Sequence, residues 1–158
     1  MGRTNLLFIF FALAALLIGC TAQQAATPYH THAEFKVYVN GTAANFSGFM
    51  YQVRVKEVHV EDGIGEVVHI HQQGIMLGHF LETLGVQLNE SCITVPIQGS
   101  SCSQAPHLYV NGLPRQELGD YVMQDSDKIL VTYGEGDIQE QMASITDMAG
   151  EKRGMSNE

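Results

Sequence analysis

The sequence contains no tryptophan, three cysteines, and eight lysine and arginine residues against 17 aspartate and glutamate residues. The formal net charge of −9 at pH 7 argues against nucleic acid as the partner, because nucleic acids are bound through clusters of basic side chains. The chain also has no G-x-S-x-G, H-E-x-x-H, P-loop or G-x-G-x-x-G motif. These absences favour a binding protein over an enzyme.

The N-terminal segment has the pattern of an export signal. Arg3 precedes an unbroken apolar run of fourteen residues, 6–19, which is shorter than the roughly 20 residues that a membrane span needs. The run ends in Leu17-Ile18-Gly19-Cys20, which resembles the lipobox of bacterial and archaeal lipoproteins. The resemblance implies cleavage after Gly19 and lipid attachment at Cys20. An uncleaved anchor helix is the alternative, and both interpretations place the rest of the chain on the extracytoplasmic face of the membrane.

We therefore expect four segments along the chain. They are a signal peptide at 1–19, a lipid anchor and tether at 20–29, one globular domain at 30–149 and a disordered tail at 150–158. The tether, TAQQAATP, is small and polar and holds the domain off the membrane.

The two remaining cysteines, Cys92 and Cys102, flank a short segment that we interpret as a polar loop. An oxidising compartment would join them, and the bond would contribute about 2–3 kcal/mol by the chain-entropy estimate. A reactive dithiol is expected as Cys-x-x-Cys, which the chain lacks. We predict a structural disulfide; a thiol–disulfide redox protein, the alternative, would need one of these thiols to be free and reactive.

Three N-x-S/T sequons begin at Asn40, Asn45 and Asn89. Glycosylation there, together with a lipobox, would indicate an archaeal cell surface. The Asn40-Gly41 pair is also a typical hairpin turn, so this sequon has a second explanation.

The hydrophobic pattern predicts strands followed by a helix and then further strands. Alternation predicts strands at 34–40, 58–61, 66–71, 107–111 and 128–133, whereas 43–56 is ambiguous. A helix is predicted from the apolar spacing of Leu77, Phe80, Leu81 and Leu84, with Gly85 ending it. Asp137 is expected to cap a C-terminal helix whose apolar stripe runs through Ile138, Met142, Ile145 and Met148. This order indicates a single α+β domain with one helix packed on one face of a mixed sheet.

Two resemblances extend this interpretation. Within 74–133, a V-N-G turn followed by D-S-D-K-I-L-V resembles the closing strands of β-grasp, ubiquitin-like domains. Over 31–149, the segments HAEFKVYVNG, VVHIH, LGHFLETLG, LYVNG and DKILVTYG resemble small exported archaeal proteins, some of which carry the name disulfide isomerase. The sequence does not support that activity, because an isomerase needs an attacking thiolate and two cysteines ten apart offer no obvious one.

The histidines of the segment EVVHIH share one face of a predicted strand. Side chains alternate along a strand, so His69 and His71 lie opposite Val68 and Ile70. If the turn at 62–65 closes symmetrically, His59 faces His69 and Glu57 faces His71, while Val58 faces Ile70 and Val60 faces Val68. A bulge in the turn would shift this register by one. On the first strand, His30 and His32 lie on the face opposite the core residues Phe35, Val37 and Val39.

These positions predict a transition-metal site on an open sheet face. Imidazoles on opposed strands lie close enough to share one ion of copper, zinc or nickel. The expected ligands are His59, His69 and His71, with His30 or His32 completing the set if the first strand lies alongside. Glu57 or Glu61 is expected as a further ligand or as an acceptor that orients an imidazole.

Two other interpretations of the histidines remain open at the level of sequence. Exposed strand positions need polar residues, and a histidine there need not bind anything. The domain would then be a metal-free interaction module that docks a peptide or a neighbouring cell-surface protein. His79 lies off the apolar stripe of its helix and is expected to be solvated.

Overall fold

The computed structural model describes residues 29–148. The expected signal peptide, the lipidation site Cys20 and the tail at 150–158 lie outside the described residues. Within residues 29–148, no helix has the length and apolar character needed to cross a membrane.

A seven-stranded mixed sheet forms the centre of the domain, in the order β3-β4-β1-β10-β8-β9 with β2 paired to β1. β1 and β10 run parallel, and the other pairs are antiparallel. The first and last strands are thus parallel neighbours with a helix in the intervening chain, as expected for a β-grasp-like α+β domain. The strands are β1 (Thr31–Val39), β2 (Thr42–Ala43), β3 (Val58–Glu61), β4 (Ile64–Ile70), β8 (His107–Val110), β9 (Leu113–Arg115) and β10 (Lys128–Tyr133).

Helix α1 (Leu77–Thr83) covers the apolar face of this sheet. Its residues Leu77, Phe80 and Leu81 are fully buried, and the ring of Phe80 meets that of Phe35 edge-on at 4.8 Å. Gly85 follows with a φ of 79°, a left-handed conformation that suits glycine at a helix end. The predicted helix, its buried stripe and its terminating glycine are all confirmed.

Helix α2 (Ile138–Ala143) lies on the opposite face and begins as predicted. The side chain of Asp137 accepts hydrogen bonds from the backbone N–H groups of Gln139 and Glu140. The helix ends at Ala143, so Ile145 and Met148 lie beyond it and do not continue its apolar stripe as expected, although Ile145 is buried. Ser144 ends it by donating its hydroxyl to the carbonyl of Gln141 at 2.6 Å, which satisfies a carbonyl that a further helical turn would have used.

The segment between the cysteines is a β-hairpin, and the predicted polar loop is therefore wrong. Strands β5 (Gln87–Leu88), β6 (Cys92–Val95) and β7 (Gly99–Cys102) form a separate three-stranded sheet. Ile93 and Val95 alternate with polar residues and are buried, which gives β6 the hydrophobic face that a strand needs. The predicted disulfide is present, and it joins residues that are directly paired across the hairpin with Cα atoms 4.2 Å apart.

The ambiguous segment 43–56 contains no long strand. It holds a 3-10 helix at Phe49–Tyr51 and is fixed by the burial of Phe46 and Tyr51. It approaches β4 so closely that a Cβ on Gly65 would lie 2.3 Å from the carbonyl carbon of Phe46. Only glycine fits there, so the close approach of this segment to β4 depends on Gly65.

The β3–β4 hairpin has the predicted register at its open end and a different one at its turn. Val58 pairs with Ile70 and His59 with His69, as expected, and the backbone N–H of His71 donates to the carbonyl of Glu57. The register then shifts, so Glu61 pairs with Ile64, and Val60 does not face Val68 as expected. The turn is the two-residue Asp62-Gly63, with φ values of 57° and 72°, instead of the four residues 62–65.

Candidate metal centre

Five of the seven histidines meet on one face of the sheet, where three neighbouring strands lie side by side. β4 pairs with β3 on one side and with β1 on the other, so His69 has His59 as one cross-strand partner and His32 as the other. His30 and His71 lie one step further along, with ring centroids 4.4 Å apart and nearly parallel planes. The strand order thus places all five imidazoles together.

The closest contacts of the cluster converge on Nδ1 of His69. Nε2 of His32 lies 3.1 Å from it, Nε2 of His30 lies 3.4 Å away, and Oε1 of Glu61 lies 3.3 Å away. A ring nitrogen either donates one proton or accepts at one lone pair. The three contacts therefore cannot all be good hydrogen bonds at once, whichever tautomer His69 adopts.

The same distances suit ligands around one ion. With Zn–N bonds of about 2.0–2.1 Å, two ligands of a tetrahedral ion are separated by about 3.3–3.4 Å. The ligand nitrogens of His30, His32 and His69 all lie within 4.8 Å of one another. These three residues, called the inner histidines below, can hold a metal ion. Oε1 of Glu61 lies 3.3 Å from one of their ligand atoms, Nδ1 of His69.

The cluster is half-buried, whereas the sequence predicted an open sheet face. His32, His59 and His69 expose 7%, 6% and 3% of their surface, and only His30 and His71 are exposed. The rings cover one another, because the centroid of His32 lies 4.5 Å from those of both His30 and His69. Burial of this kind weakens competition from water for the ligand nitrogens.

Burial and the neighbouring imidazoles oppose protonation of His71, an exposed member of the cluster. The pKa of His71 lies below its usual value, first because of burial and then because His30 and His59 are close by, while Glu61 acts in the opposite direction. A metal ligand must be a neutral imidazole, and a lowered pKa extends the pH range in which His71 is neutral.

Comparison of the chain with family models, with curated proteins and with solved structures finds no match. Function is therefore inferred from the chemistry of the cluster itself.

Only some of the predicted ligands lie in the group that can hold a metal ion. Of the expected leading set, His69 belongs to the inner histidines, whereas His59 and His71 lie beside them with ring centroids 5.0 Å apart. Glu57 lies on the wall of a neighbouring pocket together with these two, and its carboxylate is 3.8 Å from Lys56. Glu61, the other expected carboxylate, contacts the imidazoles, with Oε1 3.3 Å from Nδ1 of His69 and Oε2 3.3 Å from Nε2 of His59.

The remaining sites lie apart from this group. His79 is exposed on α1, as expected, and His107 is exposed at the start of β8. Asn40, Asn45 and Asn89 are all exposed, and Asn40 occupies the turn between β1 and β2.

Proposed function

We propose that this protein is an exported, lipid-anchored protein that binds a transition-metal ion at the inner histidines, with the carboxylate of Glu61 beside His69. Its partners are then the membrane, through a lipid on Cys20, and the metal ion or the extracytoplasmic protein that exchanges it. The resemblance to small exported archaeal lipoproteins fits this proposal.

The single observation that carries the metal proposal is the geometry around Nδ1 of His69. Three ligand-type atoms surround it at 3.1–3.4 Å, which a single cation can satisfy and hydrogen bonds cannot. Without an ion, lone pairs of the imidazole nitrogens and of the carboxylate face one another and repel. A cation bound between them removes that repulsion.

The donor set favours zinc, copper(II) or nickel over calcium and magnesium. Imidazole nitrogen suits the first three ions, whereas calcium and magnesium take six or more oxygen ligands. Thiolate donors do not enter the set, since Cys92 and Cys102 are joined to each other.

Two features support an extracytoplasmic location. One is the apolar run that ends in the lipobox-like segment before Cys20. The other is the disulfide, because disulfides persist in oxidising compartments and are rare where thiols are kept reduced.

Calorimetric titration of the full chain in detergent with Zn(II) and Cu(II) tests the metal proposal. His32→Ala combined with His69→Ala removes two inner ligands, and we expect the affinity of the tightest ion to fall at least ~100-fold. The matched control is His79→Ala with His107→Ala, which removes the same number of imidazoles from exposed positions outside the cluster.

The control variant should bind like the unaltered chain. Equal affinity in both double variants, or no uptake by the unaltered chain, would refute the metal proposal. Circular dichroism of each variant before titration separates loss of ligands from loss of fold.

A metal-free interaction module is the second candidate, and one observation favours it. Phe49, Met50 and Val53 expose 95%, 59% and 56% of their surface in one short segment, and exposed apolar side chains of this size are typical of protein contacts. Under this candidate, Phe49→Ser would abolish capture of a partner, whereas removal of the inner histidines would not.

A further inference from the structure

Three large apolar side chains are exposed together beside the histidine cluster. Phe49, Met50 and Val53 expose 95%, 59% and 56% of their surface. The first two lie in the 3-10 helix, whose third residue, Tyr51, is buried. The backbone N–H of Val53 donates to the carbonyl of Val60, in strand β3, at 2.8 Å. The fold therefore holds these three side chains, called the apolar patch below, on a fixed segment.

The charge around the apolar patch differs from that of the chain as a whole. No aspartate or glutamate occurs in the 22 residues 35–56, although the formal net charge of the chain is −9. Arg54 and Lys56 follow the patch directly, and both are exposed. Lys56 lies 3.8 Å from Glu57, but such an exposed pair is weak. Apolar side chains beside exposed cations are typical of a surface that meets anionic lipid headgroups.

The lipid anchor proposed above joins the domain on the side of this patch. His30, near the start of the described chain, stacks on His71 with ring centroids 4.4 Å apart, and His71 lines one pocket with Val53. Eight residues, 21–28, separate Cys20 from the described chain, and they span at most about 30 Å even when fully extended. A domain of about 120 residues is about 35 Å across, so a tether of this length favours the side of the patch facing the membrane.

We propose that the apolar patch, with Arg54 and Lys56, rests on the lipid surface to which the chain is anchored. The apolar side chains enter the boundary between headgroups and acyl chains, and the two cations meet the lipid phosphates. This inference rests on the lipid anchor of the proposed function and adds to it the orientation of the domain. The exposed edge of the histidine cluster at His71 then lies beside the membrane.

The absence of tryptophan from the chain allows a direct test. Phe49→Trp places one indole in the patch, and the full chain is reconstituted in phospholipid vesicles that contain anionic lipid, with and without bromine on the acyl chains. We expect the indole emission to shift to shorter wavelength and to lose intensity in the brominated vesicles. The side chain of Phe49 is almost fully exposed, so the variant should keep the fold, which circular dichroism checks.

Leu113→Trp is the matched control for the position of the indole. Leu113 is also exposed, at 62%, but it lies on β9, at the opposite edge of the sheet from β3. Its emission should be the same in brominated and unbrominated vesicles.

Substituting the two cations tests the contribution of charge. In the Phe49→Trp chain, Arg54→Gln combined with Lys56→Gln should lower the equilibrium constant for contact about tenfold or more, which is measured as a loss of quenching. Arg115→Gln combined with Lys128→Gln removes the same charge outside the patch and should leave the quenching unchanged.

Equal emission of Phe49→Trp in both kinds of vesicle, from a chain that still floats with the lipid, would overturn the contact and leave the anchor intact. A patch that docks a protein instead would give this same result, because the indole would stay in water on protein-free vesicles. A chain that does not float with the vesicles would refute both the anchor and the contact. Metal binding is tested separately by the titration above.

Discussion

Removing the disulfide is expected to lower stability without changing metal uptake. Cys92→Ser combined with Cys102→Ser opens a loop with a sequence separation of 10 residues. The chain-entropy relation gives about 2.7 kcal/mol at 25 °C for a closed loop of this size. The described domain has about 120 residues, so its unfolding entropy is about 0.25 kcal/mol/K and the melting temperature should fall by about 11 °C.

The structure explains why the folded state should survive this change. The two cysteines are directly opposed in the β6–β7 pairing, and Ile93 and Val95 of the same hairpin are buried in the core. These contacts remain after the substitution, so the bond acts mainly by restricting the unfolded chain. Thermal unfolding followed by circular dichroism at neutral pH measures the shift, with the reduced unaltered protein as a second route to the same state.

A fall of less than about 3 °C would refute this reasoning, because the unfolded chain would then gain little freedom from opening the loop.

The same variant distinguishes a metal-binding protein from a thiol-redox protein. No residue of β6 or β7 belongs to the histidine cluster, so metal affinity should be unchanged. A thiol-redox protein would instead lose its activity, and alkylation before reduction would label Cys92 or Cys102 in the native protein.

Three further predictions concern single positions. Gly65→Ala should lower the free energy of unfolding, measured in urea, by about 3 kcal/mol, because the new methyl group meets the backbone of Phe46. Gly119→Ala is the control and should be nearly neutral, because nothing lies within 4 Å of its added Cβ. Equal losses in the two variants would contradict the packing argument. Asp127→Ala should lower the free energy of unfolding by about 3 kcal/mol or more, since this buried carboxylate accepts hydrogen bonds from three donors. A loss below about 1 kcal/mol in the same assay would contradict this role for the carboxylate. The metal-free protein should lose stability as pH falls below about 6.5, because the lowered pKa of His71 means that the unfolded chain takes up that proton more readily. Urea unfolding at about pH 7.5 and about pH 5.5 measures this fall, and His71→Ala should lessen it; an unchanged fall would assign the effect to other groups.

Local patterns predicted most secondary-structure elements correctly. The spacing of Leu77, Phe80, Leu81 and Leu84 identified α1, because a helix that buries one face needs apolar residues at that period. Alternation identified β1, β4 and β10 for the corresponding reason in strands. It missed the β6–β7 hairpin because a short strand with only two buried residues resembles a loop.

The sequence predicted which residues belong to the candidate site better than it predicted which of them contact one another. Alternation correctly placed His69 and His71 on one face, and the apolar pattern correctly paired His59 with His69. The pattern named both Glu57 and Glu61 as carboxylates near the imidazoles and could not choose between them. The tertiary structure decided that Glu61 contacts His59 and His69.

By itself, the sequence determined which histidines could share a face, because the direction of a side chain along a strand follows from local geometry. Only the tertiary structure decided that these faces belong to one cluster. The pairing of β1 with β4 brings His32 to His69 across 37 residues of chain, and His30 follows with it. Such pairing is set by the burial of Phe35, Val37 and their neighbours in a common core, a long-range effect that no single strand encodes.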